Sequence, residues 1–144
     1  MATHASRDTT TGLNFEEMVH AAKTKGIDVT KHNLYRYFKQ HNINWKQVIS
    51  KKLLPDEAYF DPEEKTLKIF EKKFQEVNGS CDEKPQTCAF KIWEFRKLGA
   101  LLGVAPENVT YTYILSSWFS DKRYKDMLDF IKATDGCDYI IVEV

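Results

Sequence analysis

Net charge is missing from this chain: 21 Lys and Arg stand against 21 Asp and Glu in 144 residues. A strongly basic protein would point at once to a polyanion partner, and the sum carries no such signal. No apolar run approaches the ~20 residues that a membrane-spanning helix needs, which rules that class out. Cysteine is scarce. Cys81, Cys88 and Cys137 are odd in number and form no CxxC pair, a pattern that fits a reduced, cytoplasmic compartment better than a disulfide scaffold. The polar start lacks the apolar stretch of a secretory signal, and residues 1–13 are expected to form a disordered leader. A nucleophile elbow is lacking too. His4, His20, His32 and His41 all precede the expected sheet, and none goes with a serine or cysteine in a recognisable elbow.

What is present is asymmetry. Residues 1–54 hold nine Lys/Arg and four Asp/Glu, a net of +5, and residues 55–144 hold twelve and seventeen, a net of −5. Charge split between halves hints at a polyanion-binding arm joined to something else. The periodicity divides at the same place. In the first half Phe15, Met18, Val19 and Ala22 recur at helical spacing over 14–25, with Asn14 as a plausible cap and Gly26 as the stop. A second helix is expected over 30–41, with Leu34, Tyr37 and Phe38 inward, and a short third over 44–51, burying Trp45 and Val48. These make a helical module over 14–52.

The second half, 53–144, reads hairpin, helix, strand, helix, strand. Strands are predicted over 56–61, 66–76, 109–115 and 138–143. Helices are predicted over 85–102, opened by Pro85 and stopped by Gly103 and Pro106, and over 121–134, capped by Ser120. The expected fold class is therefore α/β (α+β), a mixed central sheet flanked by helices and preceded by the helical module. Phe90, Trp93, Phe95 and Leu98 are core candidates for the long helix. Trp118 and Phe119 are expected at the sheet edge, where they offer a dimer contact.

Chemistry concentrates in the hairpin. Side chains alternate along a strand, so Leu67, Ile69, Glu71, Lys73 and Gln75 share one face, apolar at its start and polar at its end. Pairing across the turn can bring Asp56 near Glu71, which converges two carboxylates and an ammonium on one patch. Like charges held close are costly unless a cation sits between them. Carboxylate oxygens with room for water suit Mg²⁺, with Mn²⁺ as a substitute.

Pro55-Asp56, fourteen residues, then Glu71-Lys72-Lys73 resembles the PD-(D/E)XK motif of restriction-endonuclease-like nucleases. The resemblance covers residues 50–116. It implies that Asp56 and Glu71 hold Mg²⁺, with the carbonyl of Lys72 as a third ligand, and that Lys73 orients or deprotonates the attacking water. It also implies cleavage to 5′-phosphate and 3′-hydroxyl ends. Residues 78–88 look like the loop and helix start that follow this motif, which makes Lys84 and Gln86 secondary candidates for substrate or metal-water contacts, and Gln75 a third. The family core places a helix and a strand before the PD strand, and the candidate for that strand lies at 50–54.

Residues 15–48 look like a helix-turn-helix unit whose recognition helix spans 30–38. With Leu34, Tyr37 and Phe38 inward, Asn33, Arg36 and Gln40 form an exposed stripe flanked by Lys31 and Lys39. Arginine suits guanine edges and Asn or Gln adenine edges, while the lysines suit phosphate. The expectation is a Mg²⁺-dependent endonuclease acting as a homodimer on duplex or branched DNA. The rival from another class is a non-enzymatic helix-turn-helix regulator with a C-terminal dimerisation domain.

Overall fold

A computed structural model describes residues 12–73 and 85–143. In chain order the regular elements are α1 (Gly12–Lys25), β1 (Ile27–Asp28), α2 (Asn33–Gln40), β2 (Glu57–Asp61), β3 (Thr66–Lys73), α3 (Cys88–Leu101), β4 (Val109–Ser116), α4 (Lys125–Ala133) and β5 (Cys137–Val142). The strands form one mixed sheet in the order β1-β2-β3-β4-β5. The pairs β1–β2 and β2–β3 are antiparallel, whereas β3–β4 and β4–β5 are parallel, each parallel step carried by a helix. Antiparallel neighbours accept a tight turn and parallel ones need a crossover, which is why β2 and β3 are joined by residues 62–65 alone.

Period-two alternation sorts the sheet's side chains into two faces. Ala58, Phe60, Leu67, Ile69, Tyr111, Tyr113 and Leu115 pack with residues of α2, α3 and α4 in the larger core. Tyr59, Phe70, Ile114, Ile140 and Val142 pack on the other face against Phe15, Met18, Val19 and Ala22 of α1. Helix α1 approaches the sheet closely where it ends. A Cβ on Gly26 would lie 2.8 Å from the Ala22 carbonyl oxygen and 3.1 Å from Tyr59 Cβ, so only glycine fits there without a shift. Among the described residues no helix is long and apolar enough to cross a membrane.

Residues 27–28, read as a connection, form the edge strand β1, paired Ile27 to Phe60 and Asp28 to Tyr59. The strand expected at 50–54 is not formed. Leu53 is held there by the Tyr35 hydroxyl instead of a ladder, donating its N–H to Tyr35 Oη at 2.8 Å. The helix expected over 44–51 shrinks to a single 3-10 turn, Trp45–Gln47, because the chain leaves after one turn to bury Ile49. Asn14 lies inside α1 rather than capping it. The cap near 120 is made by Asp121, whose Oδ1 accepts the Arg123 N–H at 2.9 Å.

The helix-turn-helix pairing is not made either. A strand separates α1 from α2, and the two helices belong to cores on opposite faces of the sheet. Phe90 and Trp93 are not core residues: they are 58% and 53% exposed, because residues 90 and 93 fall outside the helical stripe defined by Cys88, Ile92, Phe95 and Leu98. Trp118 and Phe119 follow β4, an interior strand, not an edge. Phe119 is fully buried and Trp118 Nε1 donates to the Tyr124 hydroxyl at 3.0 Å. The tail of β3 expected over 74–76 lies outside the described residues.

Candidate active site

The hairpin register dictates the site. The last paired residues of β2 and β3 are Glu57 and Phe70, so the next position brings Asp56 opposite Glu71. The Asp56 backbone N–H donates to Glu71 Oε2 at 2.8 Å. On the other side of the same carboxylate, Lys73 Nζ stands 4.0 Å from Oε1. The juxtaposition of Asp56, Glu71 and Lys73 expected from strand alternation is thus formed, at the C-terminal end of β3 on the face of the larger core.

Glu71 is only 4% exposed, and a carboxylate so placed is costly in its charged form. Burial therefore lifts its pKa above the ordinary glutamate range. The Asp56 N–H opposes that rise, the Asp56 charge adds to it, and the charges of Lys91 and Lys73 reduce it. Lys91 on α3 is a cation that the motif did not point to. Its signal was helical: with Cys88, Ile92, Phe95 and Leu98 inward, position 91 falls on the flank of α3 beside that stripe, not on the solvent face.

Beside Glu71 lie two tyrosines, also missed. Tyr113 is its register partner on β4 and Tyr111 pairs with Ile69. Their rings meet edge to face at 5.1 Å. Both phenols are fully buried, and neither hydroxyl finds a hydrogen bond of ordinary geometry among the described residues. Burial raises both pKa values, with the Glu71 charge contributing in each case. Alternation in Val109-Tyr111-Tyr113-Leu115 was the readable signal, since it sets both phenols on the Glu71 face.

The donor chemistry fits a hard cation. Asp56, Glu71 and the Lys72 carbonyl are all oxygen donors. Lys72 itself is exposed on the opposite face, its Nζ 5.9 Å from the Phe15 ring centroid, so only its backbone serves this side. Among the described residues no group of three or more His, Cys, Asp and Glu could hold a metal ion.

The remaining expected residues are dispersed. Lys31 Nζ lies 3.7 Å from Asp56 Oδ1, which joins the basic segment to the carboxylates. Arg36 Nη1 donates to Asn33 Oδ1 at 2.7 Å, while Lys39 and Gln40 are exposed at the end of α2. Gln86 faces α4, lining a cavity of about 350 Å³ with Asp126, Met127 and Phe130, and no carboxylate-site residue lines that cavity. Gln75 and Lys84 lie outside the described residues. No protein-family model, curated protein or solved structure matches this chain.

Proposed function

We propose that the protein is a Mg²⁺-dependent endonuclease that hydrolyses DNA phosphodiester bonds to 5′-phosphate and 3′-hydroxyl ends. The observation that carries this reading is the Asp56–Glu71–Lys73 cluster at the end of the β2–β3 hairpin. Its setting supports it. A helix, a two-residue edge strand and a second helix precede the hairpin, and a helix and a parallel strand follow it; the pair that follows comes in the order that the restriction-endonuclease-like resemblance implies. Asp56, Glu71 and the Lys72 carbonyl would hold Mg²⁺, which when bound polarises a phosphoryl oxygen and acidifies a water.

The chain's own groups do the rest. Lys73 Nζ, held beside Glu71 Oε1, orients the attacking water and offsets the negative charge that grows on the phosphorus oxygens. Lys91 on α3 adds a second positive charge near Glu71. Phosphodiester cleavage asks mainly for positioning and charge neutralisation, so these few groups suffice. Cutting both strands calls for two such sites, hence a homodimer, and a cytoplasmic setting goes with DNA as substrate. A helix-turn-helix regulator has no comparable support, since α1 and α2 lie on opposite faces of the sheet.

The test is nicking or linearisation of supercoiled plasmid with Mg²⁺ or Mn²⁺. Cleavage by the wild type is expected, with Glu71→Ala and Lys73→Ala each lowering the rate by at least about a hundredfold while DNA binding is kept. No cleavage of duplex or branched DNA with either metal would sink the proposal.

A further inference from the structure

Between Asp28 and Asp56 the chain has no acidic residue and six basic ones: Lys31, Arg36, Lys39, Lys46, Lys51 and Lys52. The fold gathers half of them around one groove. A depression of about 570 Å³ opens beside α2, lined by Tyr35, Lys39, Trp45, Lys46 and Lys52 among others. A neighbouring one of about 270 Å³ shares Tyr35, Lys39 and Lys52 and adds His32 and Arg36. Among the described residues Lys39, Lys46 and Lys52 make no ion pair, so their charges face the groove uncompensated.

The walls are built, not incidental. The Tyr35 hydroxyl donates to the Leu53 carbonyl at 2.7 Å and accepts the Leu53 N–H at 2.8 Å. That clamp places Lys52 Nζ 5.2 Å from the Tyr35 ring centroid. Trp45 packs edge-on against the same ring at 5.0 Å. The Asn44 side chain accepts the Lys46 N–H at 3.2 Å and so orients the turn that carries Trp45 and Lys46. Arg36 and Asn33, the two side chains best suited to base edges, are bonded to each other instead. Lysine is a point charge that suits phosphate and carries little base information.

We propose that this groove binds the sugar–phosphate backbone of a nucleic acid with little regard to base sequence. Lys39, Lys46 and Lys52 pair with phosphates, and Trp45 offers an apolar edge to the sugars. The choice of nucleic acid over an acidic polypeptide rests on the nuclease reading and on the Lys31–Asp56 contact, which joins this basic surface to the carboxylate site. The consequence is a substrate class: DNA of any sequence, held by charge and shape.

The experiment measures fluorescence anisotropy of labelled DNA duplexes of two unrelated sequences, in chelator without metal, with the full chain and with K39A/K46A/K52A and K39R/K46R/K52R. Each neutralised phosphate contributes a log–log salt slope of about −0.9, so wild-type affinity should fall at least about 40-fold between 50 and 200 mM salt. The alanine variant should lose about 2.7 of that slope, the arginine variant should keep it, and the two sequences should bind within about threefold of each other. Unchanged affinity and slope in the alanine variant would overturn the proposal. So would a tenfold sequence preference, or a polyglutamate competitor displacing DNA at equal charge. Retained DNA binding through the groove with no cleavage in Mg²⁺ would fail the nuclease reading alone. Cleavage by the wild type with full binding by the alanine variant would fail this inference alone.

Discussion

Glu71 is the residue at which stability and chemistry pull apart. Its folded-state pKa lies above the unfolded one, because burial penalises the carboxylate more than Lys91, Lys73 and the Asp56 N–H relieve it. The stabilisation linked to its protonated form is therefore complete below the unfolded value of about 4.3 and is lost as pH rises through the folded pKa. Above the folded pKa the ionised side chain is a cost that a bound cation would offset. Glu71→Gln, which keeps an oxygen for the Asp56 N–H, should melt higher than the wild type at pH 7 in chelator. The two melting curves should converge near pH 4, and added Mg²⁺ should raise the wild type alone. Thermal unfolding followed by circular dichroism across pH checks all three. The position of Glu71 was legible from alternation along the strand. Its isolation from solvent was not, since that depends on α3 and on Tyr111 and Tyr113, which arrive from some 40 residues away in the chain.

At the scale of the element, α3 carries two opposed faces that a count of apolar residues merges. Phe95 is 1% exposed and packs against Tyr111 at 5.5 Å between ring centroids, whereas Phe90 and Trp93 face solvent, with Lys97 Nζ 3.8 Å from the Trp93 ring centroid. Phe95→Ala should cost about 3–5 kcal/mol in urea unfolding, and Trp93→Ser within about 0.5 kcal/mol. Equal losses would mean that the face of α3 has been assigned wrongly. Helix spacing alone allowed either face, because apolar residues stand nearly all round this helix and only the sheet selects a side. The segment after α2 shows the reverse effect. Its apolar residues read as a helix, but burial of Ile49 and the Tyr35–Leu53 clamp draw it out after one turn.

At the scale of the molecule, the basic first part and the acidic second part share a core. Val29, Leu34, Phe38 and Ile49 belong to the same cluster as Leu67, Ile69 and Tyr113, and β1 is hydrogen-bonded to β2. Guanidinium unfolding should accordingly give one transition, with tryptophan fluorescence and far-ultraviolet circular dichroism coinciding. Two separated transitions would show that residues 14–52 fold by themselves. The features written locally in the chain are the alternation of the hairpin, the carboxylate spacing across it, the αβ order of the second part and the charge split between the two. These depend on the periods of strand and helix and on the residues that cap and break them. Long-range packing sets the rest: α1 and α2 part to opposite faces, Lys91 and two buried phenols come near Glu71, and lysines separated along the chain line one groove. Each depends on which distant surfaces are buried against each other, and burial is a property of the assembled fold that no local pattern contains.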